Sequence, residues 1–207
     1  MWLPMQYSYH RNFTVANISQ GKYANIRLMA GDSQHSRSWP WKTAAQSIAD
    51  GNASSPDYSL FQFSAACWYF AEVLTNILGS EAPPLGLIST AIGGSMVEQW
   101  IPNSTVASCK NLSLASHNQG LWDDNVRPYL KMTVKGWLWY QGENDMHGVK
   151  GNYLDKTGYA CAMPALVQKW REEWSAEPGT TDANAPFGLV AIPSSGSEGG
   201  QNIGAMN

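Results

Sequence analysis

Four short, nearly unbroken apolar runs mark the chain, at Ile26–Ala30 and at residues 85–91, 134–140 and 187–192. Continuous rather than alternating apolar runs of this length predict strands buried on both faces. Between them the period changes to that of a helix. From Phe63 the apolar positions fall at Ala66, Cys67, Phe70, Ala71, Leu74, Ile77 and Leu78, and Gly79 stands where a helix C-terminus favours glycine. A second stripe runs through Met163, Leu166, Val167, Trp170 and Trp174, with Lys169, Arg171, Glu172 and Glu173 on the opposite side. Strands alternating with helices predict an α/β fold of βαβ type with a mainly parallel sheet. The Ser/Trp/Pro-rich stretch 31–59 reads as a long surface loop, and Glu81-Ala82-Pro83-Pro84 as a linker into the next strand. No internal repeat appears, so residues 1–207 read as a single domain.

Composition narrows the class. Of 207 residues, 43% are hydrophobic and only 14% charged, which excludes a solvated, disordered chain. A net charge of −3 without a Lys/Arg run argues against nucleic acid as a partner. No apolar run approaches the roughly 18–20 residues of a membrane span. The ten tryptophans suit core or pocket-wall packing, with sugar-stacking platforms as the other reading.

Two features sit awkwardly with a plain cytosolic location. Asn-x-Ser/Thr sequons occur at Asn12, Asn17, Asn52, Asn103 and Asn111, with chance matches among common residues as the competing reading. The cysteines, Cys67, Cys109 and Cys161, are odd in number, too few for a disulfide scaffold, and lack the C-x-x-C spacing of a zinc site. Met1-Trp2-Leu3-Pro4-Met5 lacks the features of a signal peptide, so the natural N-terminus is expected to lie elsewhere.

In a parallel sheet chemistry collects beyond the carboxyl ends of the strands. The loops there read Gly31-Asp32-Ser33, Ile92-Gly93-Gly94-Ser95 and Gln141-Gly142-Glu143-Asn144-Asp145. The last has the form Gly-x-Asn-Asp. A side-chain amide beside a glycine, with further backbone N–H groups from Gly93-Gly94, is the donor set an oxyanion hole needs. The competing reading of both loops is simple turns, since these residues favour turns.

Together the loops resemble the sialate O-acetylesterase family of the SGNH hydrolase superfamily. Trp139-Tyr140-Gln141-Gly142-Glu143-Asn144 is similar to the family's Trp-Tyr-Gln-Gly-Glu block. Residues 84–88, leading to Gly93-Gly94 and Val97-Glu98-Gln99-Trp100, resemble a second block. Phe63-Ser64-Ala65-Ala66-Cys67-Trp68-Tyr69-Phe70 resembles the helix before that second block, and Cys161, Pro164-Ala165-Leu166 and Trp170-Arg171 the helix after the Gln-Gly-Glu block.

The resemblance implies a three-layer α/β/α flavodoxin-like sheet, truncated here, and a Ser-His-Asp mechanism that removes O-acetyl groups from sugars. It implies a secreted or lysosomal location. Gly94 and Asn144 are then the oxyanion residues, and Gln141 and Glu143 line the substrate pocket. The family pattern would put the amide at Asp145, but a carboxylate there would repel an oxyanion, which favours Asn144. No cofactor is needed, and the spacing of His, Cys and carboxylates offers no metal site. The family's nucleophile block ends in Met, read here as Met1. The serine is therefore expected before the first residue and the His/Asp pair beyond the last, which would leave these 207 residues inert. Met1 is then expected in the same cleft as Gly94 and Asn144. Internal substitutes are Ser33 of a Gly-Asp-Ser motif, with His35 close by, and His147. His10 and His117 read as residues without a role. Two alternatives stand beside the esterase: a non-catalytic glycan-binding pseudoenzyme, and a complete esterase using Ser33.

Overall fold

A computed structural model describes residues 3–31, 38–50, 59–109, 119–146 and 158–191. It divides into two compact units, with the boundary between Gly93 and Gly94.

The first unit holds α1 (Arg11–Ser19), β1 (Ile26–Ala30), β2 (Trp39–Thr43), α2 (Ala44–Ala49), α3 (Ala65–Leu78) and β3 (Leu85–Ser89). Its sheet has the order β2-β1-β3. β3 runs parallel to β1, from Ile26↔Leu85 to Ala30↔Ser89, and α3 lies in the crossover between them. β2 is antiparallel, so this sheet is mixed. The expected loop 31–59 thus carries a strand and a helix. Pro40 has no N–H to give a ladder, which argues against a central strand, but β2 lies at an edge of this sheet. A capping box starts α2: the Thr43 hydroxyl accepts from the Gln46 N–H at 3.0 Å, and the Gln46 side chain accepts from the Thr43 N–H at 2.9 Å.

Helix α3 begins at Ser64, whose hydroxyl accepts from the Cys67 N–H, and stops at Gly79 as its pattern predicts. Its orientation differs from the expected stripe. The buried side chains are Ala65, Trp68, Ala71 and Glu72, whereas Phe70 is 49% and Ile77 75% exposed. The indole of Trp68 decides this. It is fully buried, edge-on to Tyr23 at 5.9 Å, and no other side chain of the helix has as much area to hide. Trp68 also brings Glu72 inside. One Glu72 oxygen accepts from the indole N–H at 2.7 Å and from the Thr14 hydroxyl of α1 at 2.9 Å. In β1 the side chains of Ile26, Leu28 and Ala30 are buried and that of Arg27 is exposed. Burial alternates although the apolar pattern does not, so the expectation of two buried faces fails here.

The second unit holds α4 (Asn103–Val106), β4 (Trp137–Trp139), α5 (Gly158–Trp174) and β5 (Phe187–Leu189). β4 and β5 are parallel, with Trp137↔Phe187 and Trp139↔Leu189 in register. Both are shorter than their apolar runs, and Leu189 is 62% exposed. The α5 stripe packs as its period predicts, with Met163, Leu166, Trp170 and Trp174 buried. Most tryptophans are core. Trp170 lies 5.6 Å from Trp139 and 5.5 Å from Trp174, and Phe187 lies 5.8 Å from Trp170. Among the described residues, Trp137 is half-buried and Trp41 in the first unit is exposed.

Cys109 and Cys161 form a disulfide with Cα atoms 5.7 Å apart. This leaves Cys67 as the odd thiol, which burial of its sulfur pushes up to about 12. Among the described residues no helix is long and apolar enough to cross a membrane, and no cluster of His, Cys, Asp or Glu is suited to a metal ion.

Candidate active site

Two loops of the second unit meet. One leads from Gly94 into a 3₁₀ turn at Val97–Trp100; the other follows β4 into a 3₁₀ turn at Asn144–Met146. Gly94 has φ +74° and Gly142 φ 138°, conformations that a side chain would strain. A Cβ on Gly94 would meet nothing within 4 Å, so backbone conformation rather than space calls for glycine there.

Asn144 reaches across, and its Nδ2 donates to the Gly94 carbonyl at 2.6 Å. A primary amide carries two N–H donors, and this bond uses one. Asn144 is half-buried and Asp145 beside it fully buried. The Asp145 carboxylate accepts from the Val97 N–H at 3.2 Å and, through its other oxygen, from the Gln141 amide. Gln141 Nε2 also donates to the Ser95 carbonyl at 2.9 Å. The Tyr159 hydroxyl, in the first turn of α5, stands 3.3 Å from both the carbonyl and the side-chain oxygen of Gln141. Further along, the Trp100 indole donates to the Ser95 hydroxyl at 3.0 Å and the Trp170 indole to the Trp100 carbonyl at 3.0 Å. Helix α5 thereby anchors the Gly94 loop.

Burial raises the Asp145 carboxyl to about 7. The Gln141 hydrogen bond opposes this, the charge of Glu98 adds to it, and the Val97 N–H opposes it again. Burial, then the charges of Asp145 and Glu143, push the Tyr159 phenol well above its ordinary range, so it stays a donor.

The structure therefore brings Gly94 and Asn144 together. Gln141 is buried and its amide is engaged on Ser95, Asp145 and Tyr159, while Glu143 is half-buried. Tyr159 and the Asp145 anchor escaped the sequence reading. No spacing signal marks Tyr159, and the Cys109–Cys161 bridge that fixes its helix was hidden by the odd cysteine count. Met1, Ser33, His35, His117 and His147 lie outside the described residues. His10 precedes α1 on the surface, stacked edge-on with Tyr9.

Residues 19–198 match the family "Carbohydrate esterase, sialic acid-specific acetylesterase". The chain is 33% identical over 142 residues to the sialate O-acetylesterase of Homo sapiens, covering 63% of this chain and 25% of that protein. It is 28% identical over 195 residues to that of Rattus norvegicus, covering 76% and 33%. It thus spans a quarter to a third of the length of these relatives. A crystal structure of a carbohydrate acetylesterase from Xanthomonas citri shares the fold, with a TM-score of 0.64 at 23% identity over 92% of this chain and 38% of that one. An α/β chain whose family match crosses both units and includes the converged Gly94 and Asn144 loops belongs to the family of sialic acid-specific carbohydrate acetylesterases.

Proposed function

We propose that this chain is part of a carbohydrate O-acetylesterase, built on a single three-layer α/β/α flavodoxin-like domain of SGNH type, that hydrolyses O-acetyl esters on sugars such as sialic acid. The observation that carries the reading is the Asn144–Gly94 contact at 2.6 Å, inside a chain of this family. A serine attacks the acetyl carbonyl with a histidine as base, and negative charge gathers on the carbonyl oxygen. The Gly94 N–H and the second N–H of Asn144 receive that charge, held in place before the reaction so that no reorganisation is needed. Full burial of Asp145 supports Asn144 as the donor of the pair. Half-buried Glu143 lines the sugar pocket, while Gln141 acts from within, keeping the two loops together. We place the protein in the secretory pathway. The Cys109–Cys161 disulfide, stable in an oxidising compartment, and the sequons support that route.

The test is kinetic, in protein that carries this chain at the length of its relatives. Asn144→Ala is expected to lower kcat by roughly 10²–10³-fold with little change in KM, because the donor acts on the transition state. That effect from Asp145→Ala but not from Asn144→Ala would overturn the assignment. Sugar binding without ester turnover in the parent would favour the pseudoenzyme.

A further inference from the structure

Three of the five sequons fall on described residues, and the structure separates them. Asn103 is the first residue of α4, exposed, with Ser104 exposed beside it. Its backbone N–H is held by the Gln119 side chain at 2.9 Å, so the turn that presents it does not depend on its own side chain. Asn12 is exposed in the first turn of α1. Asn17 lies on the same helix but is only 5% exposed, and its Nδ2 is enclosed without a hydrogen-bond partner. That nitrogen is the atom a glycan would occupy.

We infer that Asn103 and Asn12 are N-glycosylated in the folded protein and that Asn17 is not. The inference rests on the secretory route proposed above. In the transfer, the Asn amide nitrogen bonds to C1 of an oligosaccharide carried on a lipid pyrophosphate. The C1–oxygen bond to phosphate breaks, the pyrophosphate leaves with the electron pair, and one amide proton is lost to a base of the transferase. The hydroxyls at the +2 positions belong to Thr14 and Thr105. A sugar on Asn103 or Asn12 extends into solvent and costs the fold nothing. A sugar on Asn17 would have to expel α1, breaking the Thr14–Glu72 bond and uncovering Ile18. Transfer precedes folding, so a chain modified at Asn17 would not reach the folded, exported pool. Asn52 and Asn111 lie outside the described residues and are not included.

Protein that carries this chain at the length of its relatives is led into the endoplasmic reticulum of cultured cells behind a cleavable leader. Secreted protein is treated with peptide N-glycosidase in ¹⁸O-water and mapped by mass spectrometry. Labelled Asp is expected at positions 12 and 103, with unmodified Asn at 17. Asn103→Gln and Thr105→Ala should each remove one mobility step, while Thr105→Ser keeps it. Asn17→Gln should remove none. Lack of label at 103 or 12, or label at 17 in secreted protein, overturns the inference. If a variant is not exported, the map of the parent alone decides. The route is tested apart from the sites: native protein found unglycosylated in the cytosol overturns the inference through its route even if the led chain is modified as expected.

Discussion

Substituting Asp145 by Asn probes how the two loops are joined. The carboxyl rises from its ordinary value of 3.8 to about 7, chiefly through burial, with Glu98 adding and the Gln141 and Val97 donors opposing. The sign follows from proton binding. Between the two values the folded protein holds a proton that the unfolded chain has released, so this group's contribution to stability is full below about pH 4 and lost as pH rises through about 7. At about 1.4 kcal/mol for each pK unit, the whole loss is about 4 kcal/mol, of which about 3 kcal/mol falls between pH 5 and pH 8. The Asp145→Asn side chain keeps the oxygen that accepts from Val97. Its amide can pair with Gln141 only if the Gln141 amide turns over and gives up its donation to the Ser95 carbonyl, a loss that is the same at every pH, while Tyr159 still donates to the Gln141 backbone carbonyl. That neutral amide carries no charge to desolvate, so this pH dependence should vanish. Urea unfolding followed by tryptophan fluorescence reads it, since Trp100 and Trp139 pack 5.7 Å apart within the same unit. The expected result is Asp145→Asn gaining about 3 kcal/mol on the parent between pH 5 and pH 8. A variant whose stability falls over that range as steeply as the parent's would refute the account.

Two further predictions concern stability. Reducing the Cys109–Cys161 bridge frees a loop of 52 residues, and loop entropy gives an upper estimate of about 4 kcal/mol lost from unfolding stability, read as a lower urea midpoint with dithiothreitol. Glu72→Ala strands the Trp68 indole N–H and the Thr14 hydroxyl, both buried, and should cost about 2–4 kcal/mol by denaturant titration. Glu72→Gln, which keeps an acceptor oxygen, should cost less than half as much, and equal costs would show that packing rather than the hydrogen bonds matters there.

The Gly94 and Asn144 loops were legible because they are local. A glycine and an amide placed directly after an apolar strand carry their meaning within five residues. The α5 stripe was legible for the same reason, since one face of a helix is written in its own period. The strand β2 was not: Pro40 contradicts a strand, and only a place at the sheet edge makes it harmless. Nor was the face of α3, whose apolar stripe through Phe70 and Ile77 leaves out Trp68, the side chain that the structure buries.

By itself, then, the sequence determined the kinds of element, most of their positions and the residues beside the strand ends. Tertiary structure decided which way α3 turns, because burying Trp68 outweighs leaving Phe70 and Ile77 outside. It decided that Cys109 pairs with Cys161, across 52 residues of chain. It also separated Asn144 from Asp145, neighbours of similar size: one meets the Gly94 carbonyl, while the other is enclosed between the Val97 N–H and the Gln141 amide. Burial and hydrogen-bond pairing depend on which distant segments arrive at a residue, and that is set by the packing of the whole unit rather than by any local run of side chains.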